Sequence, residues 1–212
     1  MDVSDWTPPQ LDFIDPRTTP FVEPKSRGNL PHLYKPGGFY FVTFRVWDAV
    51  MPPGAAEEFR TLTDEAAKRG DAKIAERIAA ATEPTLRSGS CPLRKIRLGT
   101  EVEKSLLHFH NERYAVLSWC VMPNHAHVVY AALGEHSPDD IQHSWKSYTA
   151  TRINRLLEAG GQFWEHESFD HLIRTEEACE RFIRYVELNP VAAGLVRDAS
   201  EWPLSSARLR CR

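Results

Sequence analysis

The sequence predicts an α+β fold: a ferredoxin-like, split β-α-β layer whose central antiparallel sheet carries packed helices, plus an extended N-terminal arm. Three observations lead there. An aromatic and β-branched run opens at Phe39 behind two glycines, two apolar runs over 114–122 and 125–133 are parted only by Pro123 and Asn124, and helix-patterned stretches alternate with such runs. Their order, strand, helix, hairpin, helix, strand, helix, is that of a split β-α-β unit.

Residues 1–37 are rich in proline with little apolar periodicity, so they read as an extended arm laid over a folded body at 38–212. The run from Phe39 to Val46 reads as a central strand. From Gly54 to Ala81 the composition turns to Ala, Glu, Lys and Arg, giving one or two helices divided near Arg69 and Gly70. Ser88 to Leu98 is loop-like, and Thr100 to Asn111 fits a helix opened by a capping box of Thr100 and Glu103. The two apolar runs follow as a hairpin. Ser137 then caps a helix with Pro138 in its first position and Asp139 and Asp140 in its first turn, running to Leu157 and ended by Gly160 and Gly161. Ser168 to Arg174 forms a short strand, and a last helix starts at Thr175 and stops at Asn189 and Pro190.

The net charge of −3 gives no global basic signature, so any nucleic-acid binding must use a local patch. Cys91, Cys120, Cys179 and Cys211 show no CxxC spacing, which suits reduced thiols. With no secretory pattern at the N-terminus and no apolar run of about 18 residues, a cytoplasmic, nucleoid-associated protein without membrane contact is expected.

The segment from Val121 to Tyr130 places His125 and His127 two apart on a strand, hence on one face, as a two-imidazole clamp that leaves coordination positions open. Two histidines merely lining a strand is the plainer reading of that spacing. On the last helix Tyr185 and Asn189 are four apart and share a face. A phenol is a candidate nucleophile and an amide oxygen a candidate third ligand, and Asn189 also reads as a helix C-cap. His108 and His110 repeat the spacing but would lie about 200° apart on a helix. His166 and His171, with Glu165, Glu167 and Asp170 close by, read as surface residues, with a secondary acidic-imidazole cluster as the alternative. Glu187 points away from Tyr185, and Trp145 reads as core.

Taken in order, Val121 to Val129, His143 to Ala150, Phe163 to Glu165, Phe169 with Asp170, Tyr185 to Val196 and Glu201 to Ala207 resemble the REP-associated tyrosine transposases. These are single-tyrosine members of the His-hydrophobe-His nucleases, and the resemblance spans Leu30 to Arg208. It implies a catalytic domain at 38–212 that nicks and rejoins single-stranded DNA folded into imperfect palindromic hairpins. Tyr185 would be the nucleophile, with His125, His127 and Asn189 as ligands of Mg²⁺ or Mn²⁺. Related insertion-sequence enzymes carry a glutamine at the position of Asn189.

The implied chemistry is attack of Tyr185 on a metal-bound phosphate, giving a 5′-phosphotyrosine link and a free 3′-hydroxyl, with rejoining by the reverse step. Unstacked bases would meet basic groups, for which Arg27, His32, Lys35, Arg45, Lys146, Arg208, Arg210 and Arg212 are candidates. The enzyme would act as a monomer or homodimer. Two alternatives stand beside this reading: a domesticated hairpin-binding protein with idle chemistry, and a metallonuclease that uses water. The intact set of His125, His127, Tyr185 and Asn189 argues against decay.

Overall fold

The computed structural model describes residues 2–16, 18, 35–48 and 89–210. The helices expected between Gly54 and Ala81 lie outside these residues. The sheet consists of β1 (Phe39–Arg45), β2 (Tyr114–Val121), β3 (His125–Ala132) and β4 (Phe169–Ile173), in the order β2-β3-β1-β4 with every neighbour antiparallel. Helices α1 (Ile96–Leu107) and α2 (Pro138–Leu157) precede β2 and β4, and α3 (Glu176–Ala192) follows β4. This is the split β-α-β arrangement, and short α4 (Ala207–Arg210) ends the described chain.

Alternation along the strands builds two cores. Tyr40, Val42, Phe44, Val128 and Tyr130 face Val102 and Leu106 of α1 and Trp145 of α2. On the opposite face Phe41, Cys120 and Val129 meet Phe182 and Val186 of α3. A bulge between Val116 and Ser118 shifts β2 by one residue, which sends Cys120 to the α3 face, paired with His127, and Trp119 to the other. From the described part of the arm, Trp6 packs edge-on to Trp119 with centroids 4.7 Å apart, and its indole N–H donates to Val116 O at 3.1 Å.

Among the described residues the expected strands and helices stand with four corrections. Helix α1 begins at Ile96, so Thr100 is inside it and no capping box forms. The reason is tertiary: Glu103 accepts from Trp119 Nε1 at 2.9 Å and Arg208 Nη1 at 2.7 Å. Gly99 lets α1 lie close, since a Cβ there would run into the side chain of Leu204. That helix also ends at Leu107, before both histidines of the 108–110 pair; His108 is exposed and His110 accepts from Val116 N at 2.9 Å. The turn after α2 comes at Glu158, which adopts φ 52°, ahead of the glycine pair.

The fourth correction matters most. Helix α3 does not stop at Asn189 and Pro190 but runs through both to Ala192, and Gly194 at φ 67° turns the chain away. Asn189 is therefore interior to the helix and is no C-cap. Ser137 and Thr175 cap α2 and α3 as expected, through bonds to Asp140 N and Ala178 N.

Candidate active site

Alternation in β3 sends His125 and His127 to the α3 face, where both are buried. Their Nε2 atoms converge to 3.0 Å. Behind them, His125 Nδ1 lies 2.8 Å from Asn124 Oδ1, and His127 Nδ1 lies 2.7 Å from Thr43 Oγ1 of β1. The amide oxygen of Asn124 can only accept, so His125 carries its proton on Nδ1 and offers a lone pair at Nε2. The hydroxyl of Thr43 can donate or accept, so His127 is able to place its own proton on either nitrogen. Burial, joined by the charge of Arg45, holds His125 down to about 3. Burial and the His125 ring likewise push His127 well below the usual imidazole value, so both rings are neutral near pH 7.

Helix α3 is fixed over this pair by Phe182, whose ring stacks on Phe41 at 4.7 Å, while Phe41 in turn stacks on His127 at 5.7 Å. Three residues further along α3, half-buried Tyr185 leans on both rings, and its hydroxyl comes to 3.5 Å from His127 Nε2. One turn beyond, on the same helix face, Asn189 is 6% exposed and its Oδ1 has no hydrogen-bond partner. Its backbone carbonyl is taken by Ala193 N.

This donor set suits a divalent cation. Two imidazole nitrogens each about 2.1 Å from a shared ion, at right angles, stand about 3 Å apart. A buried amide oxygen left without a donor is a further ligand of the kind hard cations take. No group of three His, Cys, Asp or Glu that could hold a metal occurs among the described residues, and the third candidate ligand there is the amide oxygen of Asn189.

The other sequence candidates are scattered. Arg45 lies opposite His125 in the β1–β3 register, and its Nη2 is 2.8 Å from Glu165. Lys146 Nζ donates to His166 O at 2.9 Å and Ser168 Oγ at 3.1 Å, in a cleft of about 830 Å³ also lined by Gln142, Phe163 and Glu167. Burial pulls that amine down to about 8, against the pull of Glu165 and Glu167. Lys35 is buried beside Tyr40. Arg208 is bound to Glu103 and Arg210 to Glu187, so both fasten the C-terminal segment to the body. Arg27, His32 and Arg212 lie outside the described residues. His166 is exposed as expected, whereas His171 is largely buried beside Phe182 and is no surface residue.

Sequence reasoning passed over Thr43 and Asn124 as site residues, and it placed Glu165 beside His166 and not beside Arg45. Asn124 could have been found from its place next to His125. Thr43 and Glu165 become visible only through strand register.

No family profile matches the chain. Among curated proteins it is similar to the REP-associated tyrosine transposase of Escherichia coli (strain K12), with 25% identity over 95 residues. That match takes in 44% of this chain and 54% of the relative, about half its length. Among solved structures it is similar to a REP-associated tyrosine transposase bound to a REP hairpin, with a TM-score of 0.54 and 16% identity over 86% of this chain and 84% of that one. The resemblance read from the ordered motifs is met by both comparisons, and the structural likeness carries the α+β fold. Among the described residues no helix is long and apolar enough to cross a membrane.

Proposed function

We propose that this chain is a metal-dependent endonuclease and strand transferase for single-stranded, REP-like hairpin DNA, working through a 5′-phosphotyrosine intermediate. The observation that carries the reading is the approach of the Tyr185 hydroxyl to the converging imidazoles of His125 and His127, across 58 residues of sequence. The similarity to a transposase held on a REP hairpin supports the substrate class.

His125, His127 and Asn189 would hold Mg²⁺ or Mn²⁺. Such an ion, when bound, withdraws charge from a phosphate oxygen and stabilises the charge that builds in the transition state. The chain itself supplies the rest. Phe41 and Phe182 hold Tyr185 above the histidines, so the phenol meets its target without a search through rotamers. In the step, a bond forms between Tyr185 Oη and phosphorus as the bond from phosphorus to the 3′ oxygen breaks, and the phenolic proton ends on the released 3′-hydroxyl. A second 3′-hydroxyl reverses the exchange and takes the DNA off the protein, so joining needs no energy cofactor.

The test is a hairpin-bearing single-stranded oligonucleotide incubated with Mn²⁺ and either the wild-type chain or Tyr185→Phe. Wild type should give a denaturant-stable protein–DNA adduct and an extendable 3′ end, and Tyr185→Phe neither. Cleavage that persists in Tyr185→Phe would mean that water is the nucleophile. Tight binding by wild type without any nick would mean a binding protein.

A further inference from the structure

We propose that Arg45 anchors the reacting phosphate: one arm of its guanidinium binds a non-bridging oxygen of the DNA linkage brought to Tyr185, while Glu165 sets the direction of that arm. The proposal rests on the function given above and adds a substrate-contacting residue to it.

Strand register puts Arg45 at the site. It pairs with His125 across β1 and β3, and it lies on the same face of β1 as Phe41, which stacks on His127, and Thr43, which bonds it. The segment after α2 then runs alongside the end of β1: Val46 bridges Trp164, and Glu165 N donates to Arg45 O at 2.8 Å. Trp164 packs against Phe44 on the far face of the sheet, so Glu165 falls on the histidine face, where Oε2 takes Arg45 Nη2 at 2.8 Å.

Glu165 occupies one arm of the fork. The other terminal nitrogen, Nη1, is buried and has no hydrogen-bond partner. A guanidinium left half-bonded away from water is costly, and a purely structural ion pair gives no reason for it. Its planar donors match the oxygens of a phosphate. The orphan at Arg45 is a donor and wants an anion, whereas the orphan at Asn189 is an acceptor and wants a cation. A phosphodiester accompanied by a divalent ion supplies both. Lys146, Arg208 and Arg210 are by contrast engaged with His166, Glu103 and Glu187.

The experiment is a binding cycle in the Tyr185→Phe background with Mn²⁺, so that DNA binds uncut. Hairpin oligonucleotides carry either the natural linkage or an uncharged methylphosphonate at the target position, with a second control modified several linkages away. Arg45→Met should weaken binding of natural DNA and of the remote control by about 10- to 100-fold, the span of a hydrogen bond to a charged group. On DNA neutral at the target linkage it should cost no more than about 2-fold. Arg45→Lys should recover part of the loss, since it returns the charge without the fork. Equal losses on all three DNAs would overturn the proposal, for they would mean that Arg45 only supports the fold. Should Arg45→Met melt below the assay temperature, Arg45→Lys and Glu165→Gln carry the same cycle with smaller factors. With otherwise wild-type chain, no adduct and no hairpin binding would overturn the function and this proposal together, whereas adduct formation with equal losses overturns this proposal alone.

Discussion

The hydroxyl of Thr43 lies 2.7 Å from Nδ1 of His127, on the strand beside it. One ring nitrogen is thereby committed to β1, and Nε2 is aimed at His125 and Tyr185. A hydrogen bond of this kind fixes ring orientation, and its loss in metal sites costs about 10- to 100-fold in affinity or activity. Thr43→Val keeps the shape and removes the hydroxyl. Its Mn²⁺ affinity should fall by about that factor in isothermal titration while the fold persists. An unchanged affinity would mean that Thr43 does not orient the ring.

Asn189 should show effects of opposite sign on stability and on ion binding. Its Oδ1 is buried and unbonded, which costs about 1–3 kcal/mol in a chain with no ion bound. Asn189→Leu removes that cost at similar volume, so the ion-free variant should melt at or above wild type. It should at the same time lose Mn²⁺-dependent stabilisation and most adduct formation. A variant that melts lower and still responds fully to Mn²⁺ would show that the amide serves the fold and not the ion.

His171 governs part of the acid response. Burial, with Arg174 adding to it, holds this histidine down to about 4 from the ordinary 6.5. Between those values the unfolded chain holds the proton and the folded chain does not, so stability rises with pH through that window and levels off above it. In His171→Phe, which keeps a ring beside Phe182, this contribution is gone. On going from pH 7 to pH 5, wild type should lose about 2 kcal/mol more than the variant in urea titrations. Parallel losses would count against a buried, neutral His171.

Arg208 should matter for stability and not for DNA. Its guanidinium meets Glu103, which is 3% exposed and also holds Trp119. Arg208→Met leaves that carboxylate short of its cation, at a cost of about 2–3 kcal/mol given that Arg208 itself is partly exposed. Glu103→Gln in the same chain should return part of the loss. Hairpin affinity of folded Arg208→Met should match wild type, and a large drop would restore Arg208 to the DNA-contacting set.

Much of the scaffold was legible because its signals are local. The β-branched runs alternate with period two, and that alone sends His125 and His127 to a common face. Ser137 and Thr175 announce the starts of α2 and α3 because a side-chain oxygen three residues before an amide is enough to cap it. The four-residue spacing of Tyr185 and Asn189 likewise fixes a shared face as long as the helix lasts.

Where the reading failed, a distant partner had decided. Thr100 and Glu103 spell a cap, yet Trp119 and Arg208 claim the carboxylate and α1 starts a turn earlier. Pro190 spells a stop, yet α3 continues to Ala192, and only there does Asn189 become a buried, unbonded acceptor. By itself, then, the sequence determined the strands, the caps and which residues share a face of each element. The tertiary structure decided that the face of β3 with the histidines is the one α3 covers, and that Thr43, Arg45 and Glu165 crowd the same spot. Periodicity and capping act over a few residues, whereas packing chooses among partners far apart in the chain, and a local pattern carries no record of that choice.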